Sequence, residues 1–95
     1  MSEYPVHDNT AAHRFELLVD GEVAALASYR LRGTDVVDVL HTETHPDMRG
    51  RGLAGELARQ TLDLIRSRGQ RIVPSCPFFA HYLTEHPEYT DLVAN

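Results

Sequence analysis

The sequence predicts a single α+β (α/β) domain of element order β-β-β-α-β-α: an antiparallel meander, then a helix, a strand and a short helix. Three observations predict it. Apolar and polar residues alternate through the first half of the chain, interrupted by glycine turns. After Pro46 the apolar spacing changes from the period of a strand to that of a helix. Beyond Gly69 a short β-branched run leads into an aromatic segment that must give way before Pro87.

Residues 1–12 are polar and broken by Pro5, which reads as a loose N-terminal arm. In HRFELLVD, Phe15, Leu17 and Val19 alternate with polar neighbours, as in a half-buried strand. Asp20-Gly21 is a turn signal, and EVAALASYRL follows as the second strand of a hairpin. Gly33-Thr34 turns the chain into DVVDVLHTET, long and β-branched enough for a third strand. From Gly52 onward Leu53, Leu57, Ala58, Leu62 and Ile65 form one apolar stripe of a helix. Arg66 and Arg68 suit the negative end of its dipole, and Gly69 stands where a terminating residue belongs. QRIVPSC is then a short strand, and FFAHYLTEHPEY a second helix.

Ninety-five residues make one domain, 1–95, with a modest core. A formal charge of −5 argues against a general nucleic-acid binder, which would present a basic face. No apolar run reaches the roughly 20 residues of a membrane span, and the first residues lack a signal-peptide core. A cytoplasmic protein with no membrane partner is the expectation. Cys76 is the sole cysteine, so no internal disulfide is expected. All nine cations are arginine.

The segment HPDMRGRGLAGELAR carries Gly50, Gly52 and Gly55 in the spacing of a dinucleotide-binding loop. That reading demands an acidic residue about 20 positions on and more parallel strands. Between Asp63 and Glu85 there is no Asp or Glu, and too little chain remains. A Walker A loop is excluded by the absence of lysine. What survives is a strand, a glycine loop and a helix N-terminus, a geometry that favours an anion. Gly50, Gly52 and Ala54 keep side chains out of the approach, and Arg49 and Arg51 add charge. The alternative is a loop that only turns the chain.

The string R-x-x-G-x-A, Arg49 to Ala54, opening an amphipathic helix after a strand, resembles the acyl-CoA pyrophosphate loop of the GNAT N-acetyltransferase superfamily. HTETHPDMRGRGLAGELA, followed by VPSCPFFAHYLTEHPEYTDLV, is similar to a minimal single-domain branch of that superfamily. The resemblance implies a GNAT-like core in which strands 35–44 and 71–75 splay apart. It implies acetyl-CoA as co-substrate, its pyrophosphate on Arg49, Gly50, Arg51, Gly52, Leu53, Ala54 and Gly55. The pantetheine arm would pair with His41, Thr42, Glu43 and Thr44, the acyl group lying near Cys76. An exposed strand edge can serve such peptide-like groups as another strand would.

Catalytic candidates follow from the chemistry of acyl transfer to an amine, which needs a base and an acid. His41 and Glu43 are two apart on a strand and so share a face, which His45 would continue without a bulge. Tyr82 resembles the tyrosine that protonates the leaving thiolate in many GNAT enzymes; it could equally be a core aromatic. Cys76 is open to three readings: nucleophile, lining of the acyl pocket, or small buried hydrophobe. His41, His45, Glu43 and Cys76 match no zinc spacing, so no metal is expected.

The sequence departs from larger GNAT enzymes where Asp20-Gly21 joins the first two strands directly, leaving little to build an acceptor pocket. Two functions stay open: acetyl transfer from acetyl-CoA to an amine acceptor, a protein or a small molecule, and a CoA-binding regulatory module without efficient transfer. A small interaction domain that binds no phosphate is the third.

Overall fold

In the computed structural model, which describes residues 4–94, the dipeptide Asp20-Gly21 makes a tight hairpin. Both residues have positive φ, 52° and 81°, the backbone of a turn whose twist suits antiparallel strands. It joins β2 (Arg14–Val19) to β3 (Glu22–Arg32), and a turn at Gly33 leads on to β4 (Val36–Thr44). A further strand, β1 (Val6–Asn9), pairs antiparallel with β2, Val6 opposite Leu17. Helix α1 (Leu53–Ser67) crosses over to β5 (Arg71–Pro74), which pairs parallel with β4. The sheet order is β1-β2-β3-β4-β5. Helix α2 (Pro77–Glu85) and a 3₁₀ turn (Pro87–Leu92) complete the described chain.

The order β-β-β-α-β-α is thus present with one strand added, and β1 corrects the loose arm expected over residues 1–12. Residues 1–3 lie outside the described residues. Ties to distant residues hold this polar, proline-broken segment, Tyr29 and Arg68 both bonding Asp8 among them. Leu18 donates its N–H to the Pro5 carbonyl at 2.9 Å. Gln60 of α1 accepts from the Val6 N–H at 3.2 Å and donates to the Tyr4 carbonyl at 2.7 Å. One side-chain amide thereby serves the strand edge as backbone would.

Both helices pack on one face of the sheet. Leu57, Leu62 and Ile65 of α1 are fully buried against Phe15, Leu17, Val37 and Val39, and Phe79 of α2 joins the same core. Each such aliphatic side chain contributes about 1.5–3 kcal/mol by leaving water. Near the centre of β4 the register shifts: Ser28 faces His41 while Tyr29 faces Val39, so Leu40 is an extra, bulged residue. The bulge keeps Val37, Val39 and Thr42 on the helix side and turns Asp38, His41 and Glu43 to the other face.

That other face carries no helix among the described residues. Two buried carboxylates lie in it, Glu16 and Asp38. His7, Asn9 and Arg14 bond Glu16. Ser75 donates to Asp38 Oδ1 at 2.6 Å and Arg32 to Oδ2 at 2.8 Å. Each acid is satisfied, as burial of a charge requires.

Candidate active site

The parallel pairing of β4 with β5 stops at Val39 and Pro74. One more tie, the Cys76 N–H to the Val39 carbonyl at 2.8 Å, ends the contact. Strand β4 runs on to Thr44 with no described strand beside it on that edge, so the two strands diverge as expected. The chain then leaves the sheet: His45 donates to the Ala24 carbonyl at 2.7 Å, and Pro46–Met48 form a single 3₁₀ turn. Arg49 to Gly52 lead into α1.

Between this free edge and the start of α1 lies a groove of about 730 Å³. It is lined by His41 to Thr44, Met48, Arg49, Gly50, Gly52 to Gly55, and Phe78. Ten of the residues expected to hold the co-substrate therefore converge on one cavity. Arg51 and Cys76 do not line it.

The groove's floor at one end is the N-terminus of α1. Gly52 is the N-cap, at φ 71° and without a side-chain cap. That left-handed backbone favours glycine and bares the helix end. The first helical bond is Glu56 N–H to the Gly52 carbonyl at 3.1 Å. The N–H groups of Leu53, Ala54 and Gly55 have no partner inside the helix, and the dipole makes this end positive. A Cβ built on Gly55 would meet no atom within 4 Å. The bare first turn, with Arg49 beside it, is a place for a doubly anionic group.

At the other end of the groove, Thr42 Oγ1 lies 3.0 Å from Cys76 Sγ. Cys76 is 3% exposed and is the N-cap of α2, two residues beyond the end of β5. It sits behind Thr42, beneath the groove rather than on its wall. Proline at the first position of α2 fixes this approach, since the missing N–H is one the helix cannot use.

His41 and Glu43 share the open face, with Nε2 and Oε2 3.5 Å apart and both side chains 62% exposed. His45 does not continue that face: its Nδ1 accepts the Asp47 N–H at 3.2 Å and caps the 3₁₀ turn. Cys76 lies on the opposite side of β4 from His41 and Glu43, so the four residues weighed as metal ligands do not converge. Among the described residues, no group of three or more His, Cys, Asp or Glu could hold a metal.

Tyr82 is also absent from the groove wall. It stands one helical turn behind Phe78, ring centroids 6.4 Å apart, and stacks on His86 at 3.8 Å. Burial, first, pushes its phenol above the usual value, so the hydroxyl holds its proton at neutral pH. Phe78 and Met48 are groove residues that the sequence reading missed. Phe78 was legible as the residue four before Tyr82 on one helix face; nothing marked Met48.

Residues 14–92 match the family model described as GCN5-related N-acetyl-transferase. The chain is 33% identical over 63 residues to the protein NATD1 of Mus musculus and of Homo sapiens. That alignment covers 66% of this chain but only 57% of the mouse protein and 56% of the human one. The chain thus spans little more than half the length of these relatives. A solution NMR structure from Staphylococcus aureus, described as GCN5-like, superposes with a TM-score of 0.71 at 21% identity, covering 100% of this chain and 92% of that one.

Proposed function

The chain belongs to the GCN5-related N-acetyltransferase family, and from that premise we propose that it moves an acetyl group from acetyl-CoA to an amine. The observation that carries the proposal is that one groove holds both a bare helix N-terminus and an unpaired strand edge. The helix end suits the pyrophosphate of a CoA ester, and the edge of His41 to Thr44 suits the amides of its pantetheine arm.

In this reading the amine nitrogen attacks the thioester carbonyl carbon, the C–S bond breaks, and CoA departs as thiolate. The amine loses one proton and the thiolate takes one. His41, paired with Glu43, is the base that receives the first. Water in the open groove gives the second; Tyr82, which the resemblance offered for this role, stands one turn behind the groove wall. Thr42 and Cys76 shape the inner end where the acyl group lies.

The test is amine-dependent release of CoA thiol from acetyl-CoA, run beside calorimetric titration with acetyl-CoA. Binding with amine-dependent release is the expected outcome. Binding with no release from any amine would leave a CoA-binding regulatory module, and no binding would sink both readings.

A further inference from the structure

Two proton donors meet at the inner end of the groove, a hydroxyl and a thiol, with one good acceptor between them. Thr42 lines the groove, while Cys76, whose Sγ lies 3.0 Å from Thr42 Oγ1, does not. Cys76 is 3% exposed, and its sulfur caps no N–H of α2. Among the described residues neither side chain has another hydrogen-bond partner. The thiol proton therefore finds its acceptor in Thr42 Oγ1, which leaves the hydroxyl's own proton directed away from the sulfur. The reverse arrangement would aim the hydroxyl at sulfur, a weak acceptor, and leave the thiol proton unmatched. Because Thr42 is the member of the pair on the groove wall, the groove is where its free proton can find a partner.

The two faces of β4 give that proton a direction. The bulge at Leu40 sets Thr42 on the helix side and His41 and Glu43 on the open face. An amine that gives its proton to His41 reaches the thioester from the open face. Attack on a planar carbonyl bends its oxygen away from the nucleophile, here toward the helix side. Thr42 stands on that side. Thr44, the other groove threonine, shares the side but lies about 7 Å nearer the glycine loop.

Resting on the acetyl-transfer reading, we propose that the Thr42 hydroxyl donates a hydrogen bond to the thioester carbonyl oxygen and stabilises the negative charge that gathers there. As the C–N bond forms, the C=O π electrons move onto oxygen; they return as the C–S bond breaks. Thr42 keeps its proton throughout. The hydrogen bond strengthens as the oxygen becomes an oxyanion, so it lowers the barrier more than it tightens binding. Cys76 is a positioning residue: its thiol holds the hydroxyl in this orientation and forms no bond to the acyl group.

The experiment is isotope-edited infrared spectroscopy of the thioester carbonyl of acetyl-CoA, free and bound to wild type, Thr42→Val, Thr42→Ser and Cys76→Ser. A hydrogen bond to the oxygen lowers the stretching frequency. Wild type, Thr42→Ser and Cys76→Ser should all show the lowered frequency, since each keeps a hydroxyl at position 42 and a donor behind it. Thr42→Val, which conserves volume, should lose the shift. Thiol release driven by ethylamine should fall about a hundredfold in kcat for Thr42→Val, with KM for acetyl-CoA unchanged, and stay within about fivefold for the two serine variants. A wild-type frequency equal to that of free acetyl-CoA, or equal to that of bound Thr42→Val, overturns the proposal. So does an equal loss of kcat in Thr42→Val and Thr42→Ser, the mark of a structural role. Loss of release in Cys76→Ser with the lowered frequency kept would make the cysteine a nucleophile and overturn the role given to it. Failure of wild type to bind acetyl-CoA in calorimetry instead removes the reading on which the proposal rests.

Discussion

Thr42 Oγ1 and Cys76 Sγ lie 3.0 Å apart although thirty-four residues separate them in the chain. The contact ties the free end of β4 to the N-cap residue of α2, just beyond the point where β4 and β5 part. It follows from the bulge at Leu40, which returns Thr42 to the helix side, and from Pro77, which orients α2. It defines the inner end of the groove.

Thr42→Val should remove this tie while conserving volume, at a cost of about 0.5–1 kcal/mol in denaturant unfolding. Combining it with Cys76→Ala should give less than the sum of the single effects by roughly 0.5 kcal/mol, the mark of residues in direct contact. Strict additivity would mean that the two side chains do not interact in solution.

At 3% exposure Cys76 should react with iodoacetamide only when the fold opens. Native-state alkylation, followed by mass spectrometry, is expected to be at least about a hundredfold slower than in concentrated urea, as for any buried thiol. Comparable rates would place the thiol on the groove wall.

Asp38 makes stability depend on pH. The Ser75 hydroxyl, first, and Arg32 hold its carboxyl below the ordinary 3.8, against burial, which raises it. A depressed acid stabilises fully above its unfolded value and loses that contribution as pH falls through the lower native value. Wild type should therefore weaken steeply below about pH 4. Asp38→Asn should be about 2–3 kcal/mol less stable at neutral pH and change less with acid, because a buried pair has been broken. Some slope persists, since Glu16 is lowered as well: burial opposes this, but His7, Arg14 and Asn9 prevail. Parallel pH curves for the two proteins would contradict this account.

The elements that local pattern specifies were legible. The α1 stripe from Leu53 to Ile65 and the alternation through Phe15 and Leu17 state their period and their buried face. So was the glycine loop that opens α1, because glycine spacing and helix onset are local. What was not legible depends on distant partners. Strand β1 is held by Leu18 and by Gln60, contacts that no window around Val6 contains. The burial of Cys76 depends on Thr42, and the departure of His45 from the face of His41 and Glu43 on a cap made with Asp47. Glu16 and Asp38, which no local pattern marks, are buried because arginines and neutral donors converge on them.

The most direct test of the central claim, that the groove takes a CoA ester at the start of α1, is thermal unfolding with and without acetyl-CoA for wild type and Gly55→Glu. Gly55 has a helical backbone and open space for a side chain. Glutamate there improves helix propensity and complements the dipole, so the variant should melt no lower than wild type. The same carboxylate would occupy and repel the pyrophosphate position. Acetyl-CoA at about 100 times its Kd should raise the wild-type melting temperature by about 10 °C or more, and the variant's by almost nothing. An equal shift in both proteins, or no wild-type shift at millimolar acetyl-CoA, would contradict the account.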